Sequence, residues 1–216
     1  MDGPAPANVA EVLAELRDGA TVLLREGYGG DASGYLVCAA EAAGAPEVNF
    51  MAKEGRGVIC LALTAERCEE LALERIPVRG LAEPTKEFTV SIEAREGVTT
   101  GISAADRART IAVASDPRSG PDDLRTPGHV FPLRARPRGL RERAGEAEAA
   151  IELVRLAGRH PAAVLCAVLG EEGHLARGPE LASFEARHRL RSISFAALLA
   201  ASAREAAQAG RLPSAA

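Results

Sequence analysis

The sequence predicts a single domain of mixed α/β or α+β class, and three observations carry that prediction. Short apolar runs of strand character alternate with segments of helical periodicity along almost the whole chain, the pattern of a sheet covered by helices. No long linker or internal repeat breaks the alternation. The 216 residues are 47% hydrophobic and 26% charged, enough for one core beneath a solvated surface. Aromatic residues make up only 3% while alanine occurs 44 times, so that core must be packed from aliphatic and small side chains.

Taken in order, Asn8 and Glu11 read as a capping-box start, after which Val9, Val12, Leu13 and Leu16 share one helical face and Gly19 ends the helix. Residues 20–24 and 35–40 read as strands flanking the glycine-rich stretch 27–34. Helical patterns recur at 48–54, 66–73, 104–114 and 147–157. Strand-like runs lie at 58–63, 88–93, 130–133 and 163–169. The segment 76–87, with two prolines and a glycine, is expected to be a mobile loop. Residues 1–7 are expected to be a flexible N-terminus, 8–202 one domain, and 203–216 an alanine-rich, frayed tail.

Composition narrows the function classes. A net charge of −4 provides no electrostatic footprint for nucleic acid or an anionic membrane surface. No apolar run approaches the roughly 20 residues of a spanning helix, and Met1-Asp2-Gly3 lacks the basic start of a secretory signal. Cys38, Cys60, Cys68 and Cys166 are widely spaced, with no C-x-x-C pair, and read as thiols of a reducing cytosol. The expectation is therefore a soluble, cytoplasmic protein. Arginine outnumbers lysine 24 to 2, which reads as coding bias.

Four segments carry candidate chemistry. The glycine-rich stretch lacks both phosphate-loop patterns and reads as a flexible connection or a catalytic loop. Thr99, Thr100 and Gly101 precede Ser103, which caps a helix with Asp106 at its third position. These hydroxyls and N–H groups suit an anion, although capping alone explains Ser103 and Asp106. His129, between a Pro-Gly turn and an apolar strand, is placed for general-base or orienting work, or for a structural hydrogen bond. Arg143 stands beside a helix start at Gly145, an arrangement that suits a phosphate; the alternative is that Glu146 and Glu148 simply complement the helix dipole. His160, His174 and His188 read as surface residues.

In order along the chain, the stretches Asn49 to Cys60, Phe88 to Thr110, Arg125 to Arg136, Ala150 to Arg177 and Ile193 to Leu199 resemble the 3,4-dihydroxy-2-butanone 4-phosphate synthase family of riboflavin biosynthesis. The resemblance covers roughly residues 8 to 200. It implies an α+β fold with a mixed β-sheet flanked by helices, and a homodimer with interfacial active sites. The reaction it implies converts ribulose 5-phosphate to 3,4-dihydroxy-2-butanone 4-phosphate and formate with magnesium or another divalent metal.

Against the family's acidic loop Asp-Arg-Glu-Asn-Glu-Gly-Asp, this chain reads Gly29-Gly30-Asp31-Ala32-Ser33-Gly34-Tyr35. Its Gly-His-Thr-Glu-Ala motif is here Gly145-Glu146-Ala147-Glu148-Ala149, and a later catalytic glutamate is Ala167. By resemblance Asp31 and Glu146 fall at the two metal-ligand positions. They leave an all-oxygen magnesium site as one reading, and Glu146 as a plain first-turn acid with no metal as the other.

These substitutions lead to the expectation of a divergent member, repurposed for a lyase, isomerase or cyclase-type step on another small substrate of specialised metabolism. His129, Cys60 and Asp31 or Glu146 would then be its acid–base groups. Arg143 and the segment Thr99, Thr100, Ser103, Asp106 would hold an anionic group, with Ser33 and Tyr35 lining the substrate side. The alternatives are the family's own reaction, preserved by compensating residues, and a catalytically dead dimeric binding module.

Overall fold

A period of two in burial sets the strands, and it is visible along every central one. In β1 (Val22–Glu26) and β2 (Ser33–Ala39), Leu23, Leu36 and Cys38 enter one core while Val22, Leu24, Tyr35, Val37 and Ala39 enter another. β3 (Cys60–Leu63) and β6 (Ala162–Ala167) alternate in the same way, so each central strand is buried on both faces. With β4 (Ile92–Ala94), β5 (Leu124–Arg134) and β7 (Ser192–Ser194) they form one seven-stranded sheet in the order β4-β5-β3-β6-β2-β1-β7. The β1–β7 and β3–β5 pairs are parallel and the others antiparallel, so the sheet is mixed. The computed structural model describes residues 9–27, 31–80 and 86–209. The expectations for residues 1–7, for 28–30 of the glycine-rich stretch, for 81–85 of the predicted loop and for 210–216 lie outside the described residues.

Helices cover both faces, as an α+β mixed sheet requires. On one side lie α1 (Val9–Arg17), α5 (Glu146–Leu156) and α7 (Phe195–Ala209), contributing Val12, Leu16, Leu153, Val154 and Leu198. On the other lie α2 (Ala45–Phe50), α3 (Ala65–Glu70), α4 (Ala104–Ser115) and α6 (Gly178–His188), contributing Val48, Cys68, Ile111, Leu181 and Phe184. The abundance of alanine has a local use here. Ala147, Ala149, Ala150 and Ala157 of α5 and its end face Ala39, Ala62 and Ala163 of the sheet, which lets the helix axis lie close to the strands.

Several boundaries differ from the sequence prediction. The pattern at 48–54 divides into α2 and a π-helical turn at Met51–Gly55, closed by Arg56 at φ 65°. The strand expected at 88–93 shrinks to β4, because Phe88 and Thr89 make only isolated bridges, to Leu133 and Arg75. Conversely β5 starts six residues before the predicted 130, since a bulge between Ile92 and Glu93 lets the ladder run back to Leu124. Helix α6, which opens on Gly178-Pro179 with no side-chain cap, was not anticipated.

Candidate functional site

At the edge of the α5 face, β2 begins, β6 ends and the N-terminus of α5 points inward, and five polar side chains meet there. Tyr35 (6% exposed) donates from its hydroxyl to Glu26 Oε2 at 3.0 Å, across the β1–β2 hairpin. Glu146, the first residue of α5, is buried, and its Oε1 lies 2.6 Å from Lys86 Nζ. The same ammonium stands 5.4 Å from the centroid of the Tyr35 ring. Burial first, then the charges of Glu146 and Glu26, hold the Tyr35 hydroxyl far above the usual phenol range, so it is a donor at any working pH. Cys60 adjoins the group from β3. Burial, with Cys166 next in effect, pushes its thiol up to about 12 against the opposing pull of Lys86. A thiol raised that far stays protonated at neutral pH.

Arg143 does not present a free guanidinium to a phosphate. Its Nη2 and Nε bind Glu148 Oε1 at 2.7 and 3.1 Å, and that carboxylate also accepts the Arg136 N–H at 2.7 Å. Glu148, an acid of the first turn of α5, is 1% exposed. Arg143 Nη1 reaches only to 4.0 Å from Glu87, a buried acid that Arg136 approaches at 2.9 Å. Arg143 thus pairs with Glu148 at the start of α5 through Nε and Nη2, while its buried Nη1 has no hydrogen-bond partner among the described residues.

The predicted anion segment forms a second group. Thr99 donates its hydroxyl to Asp106 Oδ2 at 2.9 Å, the Gly101 N–H donates to the same oxygen at 3.0 Å, and Ser103 Oγ accepts the Asp106 N–H at 3.0 Å. Burial pushes the Asp106 carboxyl upward, but these hydrogen bonds outweigh it and leave it below its ordinary value. Thr100 is exposed on the same loop. His129 Nδ1 lies 3.6 Å from Glu93 Oε2. Two glycines permit that placement. Gly101, at φ +79°, packs so close to Glu93 that a Cβ would fall 1.9 Å from its Oε1, and at Gly128 a Cβ would fall 2.1 Å from the Ile92 carbonyl. Glu93 thereby joins His129 to the Thr99–Asp106 turn.

The structure thus brings Tyr35, Cys60 and Glu146 together, with Ser33 buried two residues before Tyr35. It separately unites Thr99, Ser103, Asp106 and His129. Within one chain β5, which carries His129, is three strand positions from β2, which carries Tyr35, a separation of roughly 14 Å. Asp31 is exposed, and its backbone carbonyl accepts from Arg177 Nη1 at 2.7 Å. Sequence reasoning missed Glu26, Lys86 and Glu93. Glu26 follows the predicted end of its strand, and Lys86 lies in a segment read only as loop; the one available signal for Lys86 was the scarcity of lysine. His188, expected at the surface, packs between Phe50 and Phe184 at ring distances of 5.3 and 4.5 Å.

Asp31, exposed on the hairpin, and Glu146, paired with the Lys86 ammonium at the start of α5, are the carboxylates that could hold a divalent metal; magnesium commonly uses only one or two and completes its shell with water and substrate oxygens. Among the described residues no three His, Cys, Asp or Glu side chains converge on one point.

The chain thus combines a mixed sheet covered by helices on both faces with a polar group at the start of α5. The family model for 3,4-dihydroxy-2-butanone 4-phosphate synthase matches residues 10–201, and the chain belongs to that family. A 3,4-dihydroxy-2-butanone 4-phosphate synthase of Pseudomonas aeruginosa is 44% identical over 191 residues, 88% of this chain and 52% of that protein. One of Hamiltonella defensa is 40% identical over 197 residues, 91% of this chain and 90% of that protein. A solved synthase described as in complex with two magnesium ions superposes with a TM-score of 0.79 at 33% identity, covering 93% of this chain and 96% of that one. The chain spans about half the length of the first curated relatives it matches.

These relatives overturn the expectation of a repurposed, divergent member in specialised metabolism. Proteins 40–46% identical over most of this chain carry the synthase's own name, and they favour the family's reaction.

Proposed function

We propose that this chain catalyses the family's reaction, converting ribulose 5-phosphate to 3,4-dihydroxy-2-butanone 4-phosphate and formate. The observation that carries the reading is the family match over residues 10–201, a span that includes both polar groups described above. The reaction begins with enolisation next to the ketone, which requires a base for the carbon-bound proton and positive or hydrogen-bonding groups for the developing oxyanion. Glu146, held inward at the first turn of α5, takes the proton. Tyr35, kept protonated, donates to an oxygen of the substrate while Glu26 fixes its orientation. Ser33 and Asp31 border the substrate on the hairpin side.

His129, oriented by Glu93, and the Thr99–Asp106 turn, with Thr100 and Ser103, form the second half of the site. A homodimer supplies them to the Tyr35 group across the interface, a reading supported by their separation within one chain and by Ile102, which is 55% exposed beside them. We assign the reaction to the cytoplasm, in keeping with four unpaired, buried cysteines. A solved relative is described as in complex with two magnesium ions; here Asp31 and Glu146 would hold such an ion, which would stabilise the developing oxyanion.

The test is direct. Purified protein given ribulose 5-phosphate, with and without MgCl2, releases one formate per butanone phosphate, followed by coupled formate oxidation and by NMR of the product. Absence of formate under both conditions refutes the proposal, and a monomer by light scattering at micromolar concentration refutes the shared site.

A further inference from the structure

The Glu146 side chain is only 6% exposed, and a carboxylate so deeply placed keeps its charge only beside a cation. Its Oε1 is shut off from solvent, and its one partner among the described residues is Lys86 Nζ at 2.6 Å. The same carboxylate is one of the two that would hold the metal of the proposed reaction. We propose that Lys86 is an exchangeable counter-ion for that metal. Its ammonium neutralises Glu146 before the metal arrives and gives the carboxylate up when it does, so Lys86 sets the magnesium affinity of this chain. The assignment rests on the synthase reading above and on its metal.

Three features support it. The first is a contrast between neighbours on α5. Glu148 is gripped by the Arg143 fork, with Nε at 3.1 and 3.2 Å from its two oxygens and Nη2 at 2.7 Å from Oε1, and it accepts the Arg136 N–H as well. Glu146, two residues earlier, is held by a single nitrogen on a single oxygen. An ammonium is a compact point charge that can leave one oxygen without dismantling a bidentate pair. The second feature is the difference in exposure across the contact. The Lys86 side chain is 40% exposed, so its flexible stem can carry the charge into water, whereas the buried carboxylate cannot follow. The third is a second resting place for the ammonium, the Tyr35 ring, whose centroid is 5.4 Å from Nζ. A metal and an ammonium on one buried carboxylate would repel each other strongly, because the site screens charge far less than water does. Binding of the metal therefore favours the arrangement in which Lys86 has withdrawn.

Two measurements test the assignment, neither of them an activity. In calorimetric titration with MgCl2 at mildly alkaline pH, Lys86→Met binds magnesium at least about tenfold more tightly than wild type, because the competing cation is gone. Equal affinities overturn the proposal. The second measurement uses wild type alone and so does not depend on how the variant folds. The chain has two lysines, Lys86 and Lys53, the latter a surface residue paired with Glu54. Isotopic labelling of lysine side-chain carbons therefore gives two resonances in heteronuclear NMR, assigned with Lys53→Arg. Magnesium moves the Lys86 resonance towards that of a solvated lysine and leaves Lys53 in place. In metal-free Glu146→Gln the Lys86 resonance lies near the moved position from the start. A Lys86 resonance that stays put while wild type saturates with magnesium overturns the exchange, and any tightening in Lys86→Met is then only the field of a fixed charge. If neither protein binds magnesium, the metal at Glu146 falls and the role of Lys86 falls with it, while the formate assay still decides the reaction. If Lys86 exchanges with magnesium but no formate is released, only the synthase reaction is refuted.

Discussion

Replacing Glu148 with alanine removes the anion at the centre of a buried network, and its cost can be worked from the contacts. Glu148 is 1% exposed and accepts from Arg143 Nη2 at 2.7 Å, from Arg143 Nε at 3.1 Å and from the Arg136 N–H at 2.7 Å. The substitution strands a guanidinium whose side chain is only 17% exposed, together with one backbone donor. Breaking a buried pair by deleting one partner costs about 3–5 kcal/mol. For a chain of this size that lowers the melting temperature by roughly 6–20 °C. Urea unfolding followed by circular dichroism measures the loss. In Glu148→Ala/Arg143→Met, where no uncompensated charge remains, roughly half or more of the loss is recovered. A Glu148→Ala variant within about 1 kcal/mol of wild type, or a double variant no better than the single, refutes the structural pairing and returns Arg143 to the role of a free anion ligand.

Other consequences are equally accessible. Gly101→Ala places a side chain at φ +79° and against Glu93, and loses about 1–3 kcal/mol of stability in urea unfolding; an unchanged midpoint contradicts the close approach. Because the folded Asp106 carboxyl lies below its unfolded value, its contribution is fully present above about pH 4 and drains away as pH falls through the folded value. Wild type therefore loses more stability than Asp106→Asn between pH 6 and pH 3, each figure being about where the midpoints are read; parallel profiles refute the hydrogen-bonded carboxylate. All four cysteines are buried, with thiols pushed up by burial to about 12 at Cys38, Cys60 and Cys68 and about 11 at Cys166. An aromatic disulfide reagent at neutral pH thus labels none of them until denaturant is added, and rapid labelling of native Cys60 sinks that picture.

The central strands were legible because burial on alternate sides leaves a period of two in residues such as Val22, Leu23, Leu24 and Tyr35, Leu36, Val37. The Ser103 cap was legible because capping is local: the Asp106 N–H meets Ser103 Oγ three residues away. What the sequence concealed depends on long-range packing. Glu148 and Glu87 look like solvated acids, and only the folded chain shows them buried among Arg143 and Arg136. Lys86 and Glu26 meet around Tyr35 from segments 60 residues apart (86 − 26), and neither carries a local signature. His188 was misread because the two phenylalanines that enclose it come from α6 itself and from the distant α2. The loop substitutions around Asp31 suggested a changed function, but they could not be weighed against partners the sequence does not display.

The parallel pairing of β1 with β7 has a consequence for how this chain is made. Leu23 and Leu24 need Ser192 and Ile193 to complete one edge of their strand, so β1 leaves the ribosome long before the strand that covers it. Until then β1 offers an open edge with apolar side chains on both faces, the form most prone to pair with another nascent chain. Synthesis that pauses or stops just before β7 turns β1, whose edge β7 would cover, into a nucleus for aggregation.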